Sequence, residues 1–230
     1  MSNILPAENN LIGSITPEFS VLSVLERIHL FNNSLTGTLP SLVGFSNLVY
    51  FDVEKNLFTG SAFGDLSDLG NVKSYLVSAN ALTGTISPDV GRLTSLEDLW
   101  MLHNLITGRI PAEIGTATNL QLLYLGDNLL NNIIPPEMSQ LVNLVEFYAN
   151  NNTLTGSIPA DLIQSSTFEQ LRLQDNQLGG KIPDLDPSGL TDLWLQNNMF
   201  SGAIPEYLAD AGSLGTFVVI LCVWCSATRH

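Results

Sequence analysis

Apolar residues recur along this chain in one short pattern that repeats about every 24 residues. In the unit that contains Asn128, leucines stand at positions 120, 123 and 125, which are eight, five and three residues before the asparagine. The same offsets hold throughout the middle of the chain. This alternation just before each asparagine predicts a short β-strand with its apolar side chains inward and the intervening residues outward.

An asparagine followed by x-L-x-G marks each unit, and we name each unit after its asparagine. The spacing between consecutive markers is 22 to 24 residues. Self-similarity at a constant period of this length is the signature of a repeat architecture. The markers are Asn9, Asn33, Asn56, Asn80, Asn104, Asn128, Asn152, Asn176 and Asn198.

Units of this kind are expected to stack into a curved solenoid with a parallel sheet along one face. Each marker asparagine follows its strand and should turn inward. A buried amide needs hydrogen-bond partners, which the backbone of the neighbouring units can supply. We therefore predict an internal ladder formed by Asn33, Asn56, Asn80, Asn104, Asn128, Asn152, Asn176 and Asn198.

Prolines after the glycine turn predict where the opposite, convex side of each unit begins. Proline fixes φ and suits the start of a short helical or 3-10 turn. The segment "KNLFTGSAFGDLSDLG" lacks the Ile-Pro pair, so its convex part should be irregular. The segment "DLDPSG" from Asp184 is two residues short, which predicts a tighter turn.

The full unit reads L-x-x-L-x-L-x-x-N-x-L-x-G-x-I-P-x-x-L-x-x-L. It resembles the leucine-rich repeat, and the "LTGxIP" tail resembles the plant-specific subclass. That subclass occurs in ectodomains of receptor-like kinases and receptor-like proteins and in secreted polygalacturonase inhibitors. The resemblance implies an α/β repeat solenoid, a curved superhelix with a parallel β-sheet on its concave face. Its convex segments would be 3-10, short helical or irregular.

The resemblance covers residues 1–213, as about nine units of 24 residues, and leaves residues 214–230 as an incomplete tenth unit or a degenerate tail. The N-terminal cap and signal peptide of the family are missing from the residues before Asn9, so we expect a fragment. No apolar run reaches the roughly 20 residues that a membrane span needs. The family resemblance nevertheless implies an extracellular or plasma-membrane ectodomain.

The formal net charge of −14 comes from 22 acidic and 8 basic residues. It argues against nucleic acid as a partner and against attraction to anionic lipid. The two cysteines, Cys222 and Cys225, form no disulfide framework. Zinc would need a fourth ligand beyond these cysteines and His230, so we predict neither a metal nor a cofactor.

The outward strand positions face the concave side, where this fold usually binds its partners. Adjacent parallel strands lie about 4.8 Å apart, so residues at the same offset in consecutive units should form a contiguous ridge. Exposed aromatic patches usually mark interaction sites, and Trp, Tyr and Arg are favoured interface anchors. The predicted ligand-binding residues are Tyr50, Trp100, Leu102, Tyr124, Tyr148, Arg172 and Trp194.

The alternative is that these aromatic residues only stack across strands and stabilise the sheet. Gly126, beside Tyr124, could leave room for a partner. Asn32 and Asn151 stand in N-glycosylation sequences, which matter only in a secreted chain and which an asparagine-rich repeat can generate by accident. Neighbouring acids such as Glu97 and Asp98 point to opposite sides of a strand and cannot work as a pair.

No nucleophile–base constellation, phosphate loop or metal motif is present in the sequence, so we predict that the protein is not an enzyme. The favoured hypothesis is a non-catalytic recognition module of a receptor-like ectodomain, with a protein or peptide ligand and a co-receptor as partners. A secreted inhibitor of cell-wall hydrolases and a structural scaffold remain open alternatives. Ice binding, found in relatives of this fold, is disfavoured because the outward columns show no regular threonine or asparagine array.

Overall fold

The computed structural model describes residues 2–162, 168–184, 188–203 and 205–206. These residues form a solenoid in which every unit adds one strand to a parallel sheet, in sequence order. The predicted leucine-rich repeat fold is therefore confirmed. The nine strands of this concave sheet are Asn3–Ile4, Arg27–His29, Tyr50–Asp52, Ser74–Leu76, Asp98–Trp100, Leu122–Tyr124, Glu146–Tyr148, Gln170–Arg172 and Asp192–Trp194.

The strands of the concave sheet pair in register, so residues at equal offsets from their markers stand side by side. Trp100 pairs with Tyr124, and Tyr124 pairs with Tyr148. Arg172 then pairs with Tyr148 on one side and with Trp194 on the other. The central residue of each strand points inward and is buried, as Leu123 and Phe147 are.

A second set of short parallel strands follows the marker asparagines and forms small lateral sheets of two or three strands. In these sheets, residues at equal offsets from their markers do not pair. Thr107 stands three residues after its marker and pairs with Leu129, which stands one residue after the next marker. Thr59 and Ala81 pair in the same way. The lateral strands are Ile12–Ser14, Ser34–Thr36, Thr59–Ser61, Ala81–Thr83, Thr107–Gly108, Leu129–Ile133, Thr153–Thr155, Gly179–Gly180 and Met199–Phe200.

Short 3-10 helices cover the convex side at Pro17–Val21, Pro88–Arg92, Ala112–Thr116 and Pro136–Gln140. Three of the four start with proline at the first turn, where a missing N–H group costs no hydrogen bond. The fourth follows Pro111 directly. The Ser87 hydroxyl caps one of them by accepting a hydrogen bond from the Asp89 N–H group at 3.2 Å.

Two glycines let consecutive convex helices approach each other at backbone distance. A Cβ atom on Gly115 would lie 2.3 Å from the Glu137 carbonyl oxygen, and one on Gly91 would lie 2.3 Å from that of Glu113. Side-chain amides also tie this side together, because Asn119 donates to the Thr94 carbonyl at 2.7 Å. Asn143 makes the corresponding bond one period later, and Asn71 makes it two periods earlier.

The segment without the Ile-Pro pair is irregular, as the sequence predicts, and residues 62–73 contain neither helix nor strand. Phe63 fills the core in place of the missing Ile-Pro pair. Its ring stacks on Tyr75, with ring centroids 5.6 Å apart. The Tyr75 hydroxyl donates to the Ala62 carbonyl at 2.8 Å. A larger core residue in one unit thus supports the altered loop of the unit before it.

Several sequence predictions fall outside the described residues. They concern the tail at 214–230, with Cys222 and Cys225, and most of the short turn after Asp184. Among the helices that the structure does describe, none is long and apolar enough to cross a membrane.

Candidate functional site

The marker asparagines hold the strand ends of consecutive units together. The Oδ1 atom of Asn104 accepts a hydrogen bond from the Leu82 N–H group at 3.0 Å. Its Nδ2 group donates to the Val77 carbonyl at 3.1 Å, also in the preceding unit. Both bonds recur at Asn33, Asn56, Asn80, Asn128, Asn152, Asn176 and Asn198. Asn9 instead bonds to the Pro6 and Ala7 carbonyls of its own unit.

The residue before each marker adopts a left-handed backbone conformation, which the sequence analysis missed. Its φ lies between 50° and 59° at Glu8, Asn32, Lys55, Ala79, His103, Asp127, Asn151, Asp175 and Asn197. Asparagine and aspartate tolerate this conformation best after glycine, and their frequency at this position was the available signal. The glycosylation candidates Asn32 and Asn151 both stand here and are exposed.

Five predicted residues form one continuous stack on the concave face, and we call this stack the ridge: Trp100, Tyr124, Tyr148, Arg172 and Trp194. The ring centroids of Trp100 and Tyr124 are 5.1 Å apart, and those of Tyr124 and Tyr148 are 4.3 Å apart with planes only 9° from parallel. The Arg172 guanidinium lies 4.4 Å from the Tyr148 ring centroid and 5.2 Å from that of Trp194.

Stacking covers both faces of the inner side chains of the ridge. The rings of Tyr124 and Tyr148 are packed on both sides, and Arg172 is held between two rings. These three side chains therefore offer no open ring face to a ligand.

Hydrogen bonds fix the tips of the ridge side chains against the residues six places before each marker, which we call the flanking column. The Tyr124 hydroxyl donates to the Glu146 carboxylate, and the Tyr148 hydroxyl donates to the Gln170 side-chain oxygen. Arg172 Nη2 donates to the same Gln170 oxygen at 3.1 Å. Burial, reinforced by Glu146, raises the pKa of both tyrosines above its ordinary value.

Tyr50 and Leu102 lie outside this stack. Tyr50 stacks on His29 with ring centroids 4.2 Å apart, two units before Trp100. Leu102 is half-buried and follows Trp100 by two residues on the flank of the ridge. Leu76, which is only 4% exposed, occupies the ridge column just before Trp100. The ridge thus begins at Trp100 and does not extend back to Tyr50.

Buried and half-buried carboxyl groups lie on the concave face at the start of the ridge and before it. Asp52 is 4% exposed, and it accepts a hydrogen bond from the Glu54 N–H group at 3.1 Å. Burial raises its pKa to about 6. Burial also raises the pKa of Glu54 and of Asp98, whose carboxylate accepts a bond from the Ser74 hydroxyl at 2.7 Å.

One expectation from the sequence is wrong. A Cβ atom on Gly126 would lie 2.5 Å from Asn150 Oδ1, so the Asn150 amide fills the space that was expected to admit a partner. The sequence analysis did not consider the lateral sheets, where a regular threonine array lies. Its exposed members are Thr36, Thr59, Thr83 and Thr107. At least three of their hydroxyls donate to glycine carbonyls of the preceding unit, which is a structural use.

Six buried side-chain polar atoms among the described residues lack a hydrogen-bond partner. Ser78 Oγ lies before the ridge, and the other five belong to the ridge or to the residues two places before the next markers, which form the column beside it. They are Trp100 Nε1, Arg172 Nε, Gln174 Oε1, Trp194 Nε1 and Gln196 Oε1. Neither glutamine was among the predicted site residues. No group of three or more His, Cys, Asp or Glu side chains suited to a metal occurs within the described ranges.

The fold is a repeat solenoid whose concave face carries the ordered ridge. The chain belongs to the leucine-rich repeat family. The profile of the family described as Leucine Rich Repeat matches residues 24–45, 119–141 and 189–211. The receptor-like kinase TMK4 of Arabidopsis thaliana is 36% identical over 64 residues, which are 28% of this chain and 7% of that protein.

Solved structures of plant receptors match nearly the whole chain. The plant peptide hormone receptor RGFR1, solved in complex with RGF2, is 32% identical with a TM-score of 0.83, over 90% of this chain and 34% of that one. The Arabidopsis receptor kinase HAESA, solved with the peptide hormone IDA and the co-receptor SERK1, is 30% identical with a TM-score of 0.73, over 93% and 40%. The chain therefore spans less than half the length of each of these relatives.

Proposed function

We propose that this chain is a non-catalytic recognition segment of a receptor-like ectodomain, which binds a peptide along the ridge on the outside of the plasma membrane. One observation carries the proposal, namely the unbroken stack from Trp100 to Trp194 on the concave face. A single scattered aromatic residue on a surface needs no explanation, but five aligned interface-type side chains form a patch of the kind that binds partners.

The ridge is rigid before any ligand arrives, and rigidity favours affinity. The tyrosine hydroxyls are tied to Glu146 and Gln170, and Arg172 is held by stacking on both sides. Ordering a flexible side chain on binding costs about 0.5–1.5 kcal/mol, and a side chain that is already fixed avoids that loss. Such preorganisation supports recognition over a purely structural use of the rings.

The charges around the ridge indicate the polarity of the ligand. The flanking column carries Asp98, Glu146 and Asp192, whereas the ridge itself carries only Arg172. Arg172 already faces Asp192 at 3.5 Å. Complementary potentials guide encounter and reject wrong partners, so a neutral or basic peptide fits this face better than an acidic one.

The relatives support the same assignment. RGFR1 and HAESA were each solved with a bound partner, and for HAESA this includes a peptide hormone and a co-receptor. By this analogy we propose a peptide ligand first and a co-receptor as a second partner. Function within this fold resides in the varied surface residues, so the identity of the ligand is not carried over.

The proposal can be tested with a random linear-peptide display library panned on the immobilised chain. Peptides that bind the wild type should lose at least about tenfold in affinity for the Tyr124→Ala/Tyr148→Ala variant, a loss of about 1.4 kcal/mol or more. Leu105→Ala, at a 49% exposed leucine of the lateral side, is the matched control and should bind normally. Binders that ignore the tyrosine variant, or a panning that yields no binder, would refute the proposal.

The inhibitor alternative and the location need separate experiments. Inhibition of a polygalacturonase by the purified chain would favour an inhibitor of cell-wall hydrolases over a receptor. For the location, glycans at Asn32 and Asn151 of the natural protein would support an extracellular site. A natural protein without glycans, starting at Met1 and close to 24.9 kDa in mass, would contradict it.

A further inference from the structure

Buried polar atoms without partners accumulate at the ends of the last two described strands of the concave sheet. Arg172 and Trp194 are paired neighbours in this sheet, and each has one side-chain nitrogen without a hydrogen-bond partner among the described residues. Gln174 and Gln196 follow them by two residues, just beyond the strands, and the side-chain oxygen of each also lacks a partner. Four such atoms therefore lie at the ends of two strands that are about 4.8 Å apart.

These four atoms are unusual for a native protein, because buried polar groups are almost always hydrogen-bonded. A buried group that finds neither protein nor water costs about 1–3 kcal/mol of stability. The described residues hold two other such atoms, Ser78 Oγ in the column of the glutamines and Trp100 Nε1 at the start of the ridge, so four of the six lie here. One unit earlier, the Asn150 amide reaches the Asp127 carboxylate at 3.5 Å, and its atoms are not among the unpartnered ones.

The four atoms combine two donors with two acceptors, which limits the ligand group that could satisfy them. Arg172 Nε and Trp194 Nε1 donate, whereas the glutamine Oε1 atoms accept. A carboxylate would satisfy only the donors, and an ammonium group would satisfy only the acceptors. A peptide main chain supplies a carbonyl oxygen and an N–H group in every residue other than proline.

We infer that the ridge ends in a subsite for main-chain amide groups of a bound peptide, formed by Arg172, Gln174, Trp194 and Gln196. The inference rests on the proposed function and adds the position and the hydrogen-bonding chemistry of one part of the ligand. In this account the two glutamines are specificity-determining residues. They destabilise the free protein and form their hydrogen bonds only when the ligand is bound.

A ligand-free measurement tests the cost to the fold. The Gln174→Leu/Gln196→Leu variant of the 230-residue chain replaces two unpartnered oxygens with apolar groups of similar size. Replacing buried polar groups that make no bonds is neutral or stabilising, so Tm should rise by about 2–4 °C. Gln177→Leu, at an exposed glutamine of the next lateral segment, is the matched control and should leave Tm unchanged. A fall in Tm for the double variant would show that the glutamines support the fold, and would overturn the inference.

A binding measurement tests the chemistry, with peptides selected on the wild type from the display library. The double variant should bind them at least about tenfold more weakly. N-methylation of the peptide at each main-chain amide in turn should reveal one or two positions that weaken binding to the wild type. At these positions, N-methylation should have no further effect on the double variant.

Unchanged affinity of the double variant would refute the subsite. If the double variant bound normally but binding still required Tyr124 and Tyr148, the proposed function would stand without the subsite. Peptides that bind independently of the ridge would refute both proposals.

Discussion

The amides of the ladder and the amides of the concave face have the same chemistry and opposite surroundings. Asn104 is 6% exposed, and both its oxygen and its nitrogen bond to the backbone of the preceding unit. Gln196 stands two residues before Asn198 in the last described unit, and its oxygen has no partner. We propose that this difference separates scaffold from recognition residues, because a scaffold amide is satisfied within the chain and a recognition amide is left for a ligand.

The largest effect should come from breaking the ladder with Asn104→Leu. The change leaves the Leu82 N–H group without its partner in the interior, whereas the Val77 carbonyl keeps the bond from the Asn80 amide. An unsatisfied buried group costs about 1–3 kcal/mol, and the lost bond to Val77 adds to this cost, so we expect a loss of about 3 kcal/mol in the free energy of unfolding. Urea denaturation measures it.

Asn131→Leu is the control for that experiment, because this asparagine lies exposed on a lateral strand. It should change the free energy of unfolding by less than about 0.5 kcal/mol. If both variants unfolded at the same urea concentration, the ladder would not make the contribution to stability that we assign to it.

Gly115→Ala tests the convex side and should have the next largest effect. The new Cβ atom would lie 2.3 Å from the Glu137 carbonyl oxygen, which belongs to the backbone and can move little. Overpacking of this kind costs about 1–3 kcal/mol. Gly70→Ala is the control, since nothing lies within 4 Å of its added Cβ atom. Equal thermal stability of the two variants would contradict the close approach of the convex helices.

Asp52→Asn should stabilise the protein, which is the opposite of the ladder result. Burial raises the folded-state pKa of Asp52 to about 6, against about 3.9 in an unfolded chain. The folded protein therefore holds a proton that the unfolded chain releases, and stability falls as the pH rises from 4 towards 6. At pH 7, we expect the neutral amide to contribute about 1–2 kcal/mol after allowance for solvent screening.

The pH dependence of that gain is the discriminating measurement. The difference between variant and wild type should shrink as the pH falls from 7 to 4, because the wild-type carboxyl is then protonated as well. A gain that is independent of pH would place its origin in packing rather than in charge.

Ala79→Asn should give the smallest effect, a gain of up to about 1 kcal/mol. Ala79 has φ of 54°, a conformation that asparagine tolerates better than alanine. Ala81→Asn is the control within a lateral strand of ordinary geometry and should bring no gain. A rise in Tm for the control alone would contradict this account of the left-handed position.

The positions that depend on a fixed offset were predictable from the sequence. The strand columns and the register followed from the 24-residue period, which also placed Trp100, Tyr124 and Tyr148 side by side. The left-handed position before each marker was also accessible, since asparagine and aspartate are frequent there.

The features that depend on contacts between units were not predictable. The sequence does not reveal how the ridge rings orient, so their covered faces came from the structure. It also does not show that the Asn150 amide leans over Gly126 or that Gly115 meets the Glu137 backbone. The unpartnered oxygen of Gln196 was equally inaccessible, because it depends on the positions of all its neighbours.

We propose that the repeated residues hold the fold and that the varied concave residues bind the ligand. The decisive experiment measures Tm and peptide affinity for two variants, Asn104→Leu and Tyr148→Leu, with the affinities taken at a temperature at which both are folded. We predict that Asn104→Leu lowers Tm and keeps its affinity for the selected peptides. We predict that Tyr148→Leu keeps most of its Tm and loses at least about tenfold in affinity. Equal affinities for the two variants would contradict the division between scaffold and ridge.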